Sequence, residues 1–341
     1  MSAHLLVPTP SLNSYITTPA HSNCLVSVVI VSWNTKDMLL SCVQSLYQHC
    51  SQLNLEVWIV DNASSDQTPE SVRSNFPQVN LICNTSNLGF SAANNQALSK
   101  ARGDYILLLN PDTEFRMDAL TPALSELKRG DRTLAIRLVN RDGSTQASCF
   151  RFPSLPLEFA EAFYLDKILP KRMRARIFLG DSWRHDTSRS VDWALGAFLF
   201  LPRAALLQAG PLPPEYAIFG EDIEWCWRLR NAGYPVYYFP KSEIVHFGNQ
   251  SGSQLPPTWR VECVYSARRV FLHSHYGTIR GLAHRYLDFI RYGIRALTCF
   301  ARSAERYRAR YYMSIIQVLL RSGHHHLNTK VTPSQVQLRC A

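Results

Sequence analysis

The chain has 341 residues, of which 46% are hydrophobic and 18% are charged, a composition that supports one large or two modest domains and excludes a disordered chain, a coiled coil and a collagen. The formal net charge is +10. All of this excess lies near the end of the chain, because residues 259–341 carry 14 basic and 3 acidic side chains whereas residues 1–258 carry 22 and 23. The last quarter is therefore the part expected to attract anionic partners.

The first 24 residues predict neither a membrane span nor a secretory signal. They are rich in Ser, Thr and Pro and lack a basic start and an apolar stretch, so we expect a flexible leader at 1–24. The longest uncharged apolar runs, Trp193–Leu201 and Met313–Leu320, have about half the length that a spanning helix needs. Nine cysteines without a CxxC pair are typical of reduced thiols in a cytosolic protein.

The residues from 25 to 109 alternate between strand patterns and helix patterns. Four runs have the continuous apolar character of strands that are covered on both faces: Leu25–Ser32, Leu55–Val60, Val79–Cys83 and Tyr105–Leu109. Helical spacing follows each of the first three runs, at Asp37–His49, Ser71–Phe76 and Ala92–Ala101. This alternation predicts an α/β fold with a doubly wound, mostly parallel sheet flanked by helices.

The pattern is weaker beyond residue 120. We expect a strand at Leu134–Asn140, a variable insertion at Pro153–Asp186, an ordered segment at Val191–Pro202, a helix at Phe219–Asn231 and a strand at Val236–Phe239. The resulting division is a main domain at 25–255 with halves 25–118 and 119–255, a helical extension at 256–322 and a disordered tail at 323–341.

Polar side chains gather where the predicted strands end. Asp61, Asn62, Asn110 and Asp112 all follow strands, and ligands of such sheets bind beyond the carboxyl ends of the strands. Asp112 lies in an Asn-Pro-Asp turn, where one carboxylate is well placed for a hard divalent cation. A turn in which Asp112 only forms local hydrogen bonds is the alternative.

Three carboxylates occur in the first turn of the predicted helix at 219–231. Glu221, Asp222 and Glu224 could simply stabilise the helix dipole. They could also provide a general base whose pKa is kept high by its neighbour. His246, after the strand at Val236–Phe239, is ambiguous by itself.

Seven segments, taken together in their order and spacing, resemble the family 2 glycosyltransferases of the GT-A fold, and within them the rhamnosyltransferase-like branch. The segments are Val28–Asn34, Val60–Ser65, Asn87–Asn95, Leu109–Thr113, Val191–Ala197, Phe219–Arg230 and Ile244–Gly248. The resemblance covers about residues 25–252 and implies a GT-A type sheet with a nucleotide-sugar half (25–118) and an acceptor half (119–255).

The resemblance also implies roles for the donor side. Ser32, Asn34 and Asp61 match positions that line the base and ribose of the nucleotide. Asn87 and Gly89 match the turn that closes over the nucleotide-sugar.

Asn110 and Asp112 match the metal-binding position of the family, so Mg²⁺ or Mn²⁺ is the implied cofactor, and His246 matches a position that can complete the metal site.

On the acceptor side, the resemblance aligns Asp222 with the catalytic base, with Glu224 as the alternative base. The remaining acceptor-side residues are Trp193, Gly196, Glu221, Glu224 and Trp225, with Trp225 and Trp227 offering apolar faces to a sugar ring. One base and one displacement would give inversion at the anomeric carbon, without the second carboxylate that retaining hydrolases use.

The implied function is an inverting, metal-dependent transfer of a sugar, with rhamnose suggested by the branch, from a nucleoside-diphosphate sugar to a hydroxyl of a lipid-linked or cell-surface polysaccharide acceptor. The alternative is an inactive sugar-nucleotide-binding partner in a glycan assembly complex. A nucleotidyltransferase is less favoured because no basic, Gly-rich phosphate loop occurs near the start.

The end of the chain predicts a basic amphipathic helix at Leu282–Tyr311. Its apolar face, which includes Leu282, Tyr286 and Phe289, could lie on an anionic membrane surface or pack on the catalytic domain. Nothing resembling a nucleic-acid-binding module accompanies the basic residues. We therefore expect no nucleic-acid partner and a cytoplasmic protein, peripheral at the inner face of the plasma membrane.

Overall fold

A computed structural model of the chain describes residues 24–216, 219–248, 257–301 and 306–321. The predicted leader, apart from Cys24, and the predicted tail at 323–341 lie outside the described residues, as does the expected boundary between residues 255 and 256.

A mixed nine-stranded sheet lies at the centre of the described part of the chain. Eleven strands are present in the described ranges: β1 (Leu25–Ser32), β2 (Asn54–Asp61), β3 (Asn80–Cys83), β4 (Tyr105–Leu109), β5 (Thr113–Glu114), β6 (Thr133–Val139), β7 (Cys149–Phe150), β8 (Arg189–Ser190), β9 (Trp193–Ala194), β10 (Phe198–Pro202) and β11 (Val236–His246). The order in the sheet is β3-β2-β1-β4-β10-β6-β11-β5, with β8 beside β11, while β7 and β9 form a separate pair.

Helices cover both faces of the sheet. They are α1 (Lys36–His49), α2 (Thr68–Asn75), α3 (Phe90–Leu98), α4 (Leu120–Leu127), α5 (Leu155–Ala162), α6 (Leu165–Ile168), α7 (Lys171–Phe178), α8 (Arg203–Ala209), α9 (Glu221–Asn231), α10 (Pro257–Phe300) and α11 (Arg306–Arg321), with a 3₁₀ turn at Gly180–Ser182. On one face of the sheet, α3 and α9 pack against the strands and form one hydrophobic core. On the opposite face, α1 and α4 form a second core.

The parallel strands bring the predicted polar residues to one edge of the sheet. β1 pairs in parallel with both β2 and β4, and Ser32 lies opposite Asp61 in this register. β10 runs antiparallel to β4, with Phe198 opposite Leu109, so the beginning of β10 lies at the same edge. The predicted α/β class, with a mostly parallel sheet, flanking helices and C-terminal helices, is confirmed.

Two elements differ from the prediction. β11 does not end at Phe239, because its register shifts between Phe239 and Glu243 and the strand then pairs with β6 again up to Val245. His246 is consequently the last residue of a strand. In the C-terminal region, α10 begins at Pro257 and bends at Gly277, which has a φ of 75°. Among the described residues, no helix has the length and apolar character to span a membrane.

Candidate active site

Asp61 is a buried carboxylate at the end of β2. Its Oδ2 accepts a hydrogen bond from the Ser64 N–H at 3.0 Å, whereas its buried Oδ1 has no partner in the described structure. A buried acceptor without a donor is costly. Asp61 is therefore well suited to accept a hydrogen bond from a ligand, in keeping with its predicted place at the nucleotide.

Asn34 and Ser32 shape the loops beside Asp61. Asn34 has a left-handed φ of 51°, donates its N–H to Ser64 Oγ at 2.9 Å, and accepts from the Ser65 N–H at 2.8 Å. Ser32 is completely buried and its hydroxyl is paired with Thr35 at 3.0 Å. The Ser32 side chain therefore lies behind the edge of the sheet and bonds within its own loop, and the place of this position at the nucleotide stays a prediction.

A network of amides fixes the turn that precedes α3. Asn62 donates to Asn87 Oδ1 at 2.7 Å and accepts from the Leu88 N–H at 2.9 Å. The same Asn87 oxygen accepts from the N–H of Gly89, whose φ of 81° favours glycine. Asn87 and Gly89 therefore form the predicted turn. Asn62, which the sequence placed at the end of a strand without a specific role, supports this turn.

Asp112 and His246 meet where β5 pairs with β11. Both residues are buried, and His246 Nε2 lies 3.3 Å from Asp112 Oδ1. The other ring nitrogen of His246 bonds Gln146 Oε1 at 2.7 Å, and the Gln146 amide nitrogen donates to Asn140 at 2.8 Å. Gln146 was missed by sequence reasoning because it lies 100 residues from His246 and belongs to no local pattern.

These residues fit a divalent cation. With Nδ1 of His246 donating to Gln146, the buried Nε2 of His246 has no hydrogen-bond partner and lies 3.3 Å from Asp112 Oδ1. No group of three or more His, Cys, Asp or Glu side chains that could hold a metal occurs in the described residues. A cation held by Asp112 and His246 would therefore take its other ligands from phosphate or water, as Mg²⁺ commonly does.

Asp222 lies at the beginning of α9 and is partly exposed. Its Oδ1 accepts from the Ile223 N–H at 2.8 Å. Burial raises the pKa of Asp222, and the N–H groups of Ile223 and Gly196 oppose that rise. The adjacent Glu221 is buried, its Oε2 has no partner, and its pKa is raised by burial and by the charge of Asp222. A carboxylate with a raised pKa and an exposed face can act as a general base.

Asp112 and Asp222 belong to the same edge of the sheet. The N–H of Asn110 donates to the carbonyl of Ala197 at 3.1 Å, and the preceding residue, Gly196, lies beside Asp222, since a Cβ added to Gly196 would be 3.9 Å from the Cβ of Asp222. The Phe90 ring, which follows the Gly89 turn, also packs close to Gly196: a Cβ added to Gly196 would lie 3.8 Å from that ring. The donor-side loops and the beginning of α9 thus meet at residues 196–197.

The loop before α9 rests directly on α10. Gly220 has a φ of 90°, and a Cβ added to it would lie 2.6 Å from the Cβ of Ala267. Phe219 also has a positive φ, 64°, which is uncommon for a bulky residue, and it packs with Trp33 and Trp259. Backbone strain of this kind is often held at functional sites.

Glu224 is not available as the alternative base. It is buried, and its oxygens are held by Arg228 Nε at 3.0 Å and by His275 Nε2 at 2.6 Å. The expectation that Glu224 faces the acceptor is therefore wrong, because this side chain points to α10.

Trp225 also differs from its predicted role. Its side chain is completely buried, and its indole N–H donates to the Gly210 carbonyl at 3.0 Å. Trp227 packs on Phe152 and Phe271. Neither indole offers a face to a sugar. Trp193 is only half-buried, stacks on Phe150 with centroids 4.6 Å apart, and stays a predicted acceptor-side residue together with Gly196 and Glu221.

We expect Trp225→Phe to lower the free energy of unfolding by about 2 kcal/mol, because the Gly210 carbonyl loses its buried donor and a cavity forms. Urea unfolding followed by circular dichroism measures this change. Trp193→Phe is the matched control, since the same substitution at a half-buried position should cost less. An unchanged unfolding midpoint in Trp225→Phe would contradict the core position of this indole.

Comparison with solved structures places the fold among the GT-A glycosyltransferases. The mannosyltransferase PcManGT from Pyrobaculum calidifontis, solved in complex with GDP-Man and Mn2+, is similar with a TM-score of 0.53 and 16% sequence identity, over 87% of this chain and 86% of that chain. At this identity the likeness establishes the fold.

Sequence comparison points to the same class. Residues 27–174 match the model of Glycosyl transferase family 2, the family that the motifs of the chain resemble. An N-acetylglucosaminyl-diphospho-decaprenol L-rhamnosyltransferase from Mycobacterium tuberculosis is 26% identical over 215 residues, which are 59% of this chain and 69% of the relative. Rhamnosyltransferase WbbL from Escherichia coli is 22% identical over 276 residues, 76% of this chain and 100% of the relative. The protein is therefore a glycosyltransferase.

Proposed function

We propose that this glycosyltransferase moves a rhamnosyl residue, with inversion and with the help of a divalent cation, from a nucleoside-diphosphate sugar to a hydroxyl of a lipid-linked or cell-surface glycan. The observation that carries the proposal is the shared position of Asp112 and Asp222, which the contacts of residues 196–197 bring to one edge of the sheet. The sugar is suggested by the two rhamnosyltransferase relatives, and the acceptor by the lipid-linked acceptor in the name of one of them.

In this proposal the donor lies across the carboxyl ends of β1, β2 and β4. Asp61 accepts a hydrogen bond from the nucleoside, while the turn fixed by Asn62 and Asn87 closes over the diphosphate. Asp112 and His246 would hold Mg²⁺ or Mn²⁺, and such a cation would supply positive charge to stabilise the diphosphate leaving group.

Asp222 supplies the base. It accepts the proton of the acceptor hydroxyl as the oxygen attacks the anomeric carbon, and the N–H of Ile223 orients its carboxylate. Because Glu224 is held by Arg228 and His275, Asp222 is the only acidic residue of the first turn of α9 that combines exposure with a raised pKa. A single displacement by the acceptor inverts the anomeric centre.

A thermal-shift screen of dTDP-, UDP- and GDP-linked sugars, with Mn²⁺ or with EDTA, tests the donor and the metal together. We expect dTDP-rhamnose with Mn²⁺ to raise the midpoint of unfolding by about 5 °C at a concentration near 100 times the dissociation constant, and EDTA to remove the shift. Stabilisation by another sugar-nucleotide would reject rhamnose, and a shift that survives EDTA would reject the metal.

An inactive sugar-nucleotide binder, the alternative considered from the sequence, would show the same thermal shift without any transfer. Incubation of the stabilising donor with a glycan-linked lipid acceptor, followed by mass spectrometry of the acceptor, separates the two functions.

A further inference from the structure

The second half of α10, residues 278–300, exposes its apolar side. Six residues occupy less than a quarter of the helix circumference at 3.6 residues per turn, and we call them the apolar stripe: Ile279, Leu282, Tyr286, Phe289, Leu297 and Phe300. Their exposed fractions range from 40% for Phe289 to 85% for Ile279. Amphipathic helices of water-soluble domains normally bury such a face.

The opposite side of the same helix is charged and faces the protein. His284 and Asp288 are 2% and 4% exposed. Glu158 of α5 bonds His284, and Arg268 bridges Glu158 and Asp288, with Arg268 Nε 2.9 Å from Asp288. These buried charges are paired with one another. The helix is thus held to the catalytic part through its polar side, and the alternative in which the apolar stripe packs on that part is excluded for the described residues.

The surroundings of the apolar stripe are strongly basic. Residues 278–301 and 306–321 contain eight arginines and a single acidic residue, the buried Asp288. Arg280, which follows Ile279 in the chain, and Arg310 on α11 are exposed. A second copy of the chain would bring like charges together in a two-fold interface at this surface, which disfavours self-association.

The length and composition of the surface fit a lipid bilayer. The apolar stripe extends over about 33 Å at 1.5 Å per residue. Aromatic and aliphatic residues lie along it, and arginines are available to anionic headgroups. The described helices cannot span a membrane, so contact would be parallel to the surface.

We propose that residues 278–300 dock flat on an anionic lipid bilayer, with the apolar stripe inserted below the headgroups and Arg280 and Arg310 at the headgroup level. This interaction does not depend on the proposed donor or acceptor. It gives the protein a binding site for a lipid surface on α10, the helix whose first half also contacts α9.

Sedimentation with vesicles tests the docking surface. We expect the full-length wild-type protein to pellet with vesicles that contain a quarter phosphatidylglycerol, and to stay in solution with phosphatidylcholine alone. The triple variant Leu282→Ser, Tyr286→Ser, Leu297→Ser should partition at least tenfold less, as should the double variant Arg280→Gln, Arg310→Gln. The matched control Met117→Ser, Leu207→Ser changes two exposed apolar residues elsewhere and should bind like the wild type.

Hydrogen exchange of the wild-type protein provides a measurement that needs no variant, since residues 278–300 should gain protection only with anionic vesicles. Failure of the wild-type protein to bind anionic vesicles overturns the proposal, and so does equal binding by the triple variant. If light scattering instead detects a wild-type dimer that dissociates in the triple serine variant, that result would assign the apolar stripe to an interface with a second copy. It would also overturn the lipid-docking proposal. Because no donor or acceptor is present, these outcomes are independent of the transferase proposal.

Discussion

Asp222→Asn is expected to lower the rate of sugar transfer by about 100-fold to 10,000-fold, the contribution that a positioned general base commonly makes. Asparagine retains the shape of the side chain and cannot accept the proton of the acceptor hydroxyl. Donor binding should change little, because the contacts of Asp222 are to Ile223 and Gly196 and not to the nucleotide loops. Rates of transfer and donor thermal shifts, measured on the same preparation, check both parts.

Glu215→Gln is the control for the Asp222 variant. Glu215 precedes α9, and its carboxylate pairs with Arg228 at 3.2 Å on a more exposed part of the surface. This substitution removes a nearby charge without removing the proposed base, and the rate should stay within about twofold, since exposed ion pairs contribute little. Full activity in Asp222→Asn would reject Asp222 as the base.

The pH dependence gives an independent measurement on the wild-type enzyme. Because burial raises the pKa of Asp222, the base becomes protonated at a higher pH than an exposed aspartate would. kcat/KM should therefore fall about tenfold for each pH unit below that raised pKa, and it should level off above it. An acid limb at the ordinary value of an exposed aspartate would contradict this assignment.

Asp112→Asn is expected to weaken metal-dependent donor binding by about 100-fold, equivalent to about 2.7 kcal/mol. The substitution removes the carboxylate that lies 3.3 Å from His246 Nε2. It leaves the backbone hydrogen bond from the Phe247 N–H to Asp112 intact, because that bond uses the carbonyl group at 2.8 Å. Donor titrations at several Mn²⁺ concentrations measure the loss.

Glu114→Gln is the matched control for Asp112. Glu114 lies two residues further along, on β5, and its carboxylate is 3.8 Å from the exposed Arg116. Donor affinity and its dependence on Mn²⁺ should be unchanged in this variant. Unaltered metal-dependent binding in Asp112→Asn would remove Asp112 from the proposed metal site.

The sheet and the donor side could be predicted because their signals are local. Continuous apolar runs identified β1, β2 and β4, and the ends of those strands located Asp61 and Asp112 at one edge. Hydrogen bonds between distant loops left no such signal. Gln146 reaches His246 across 100 residues, and the amide of Asn62 reaches Asn87 across 25.

The errors on α9 have a different cause. The predicted roles of Glu224 and Trp225 were based on the residue types in the motif. The helical period, however, determines which side chains of α9 are buried. Glu221, Trp225 and Leu229 recur every four residues on the inner side of α9. That spacing was present in the sequence and favoured a core position for Trp225. The partners of Glu224, in contrast, include His275 on α10, 51 residues away, and could not be inferred from local pattern.

The apolar side of the C-terminal helix was also visible in the sequence, but its orientation was not. Leu282, Tyr286 and Phe289 were identified by their period, whereas the side that meets the protein depends on Glu158, which lies 126 residues before His284.

The close approach of Gly220 to Ala267 has a practical consequence for anyone seeking a minimal enzyme. Truncating the chain before Pro257 would remove Ala267, on which the residue before α9 packs. It would also remove the indole of Trp259, which packs with Trp33 and Phe219. The C-terminal helix α10 is therefore part of the support of the proposed active site. Removing it would disturb the first turn of α9 as well as remove the proposed lipid-binding surface.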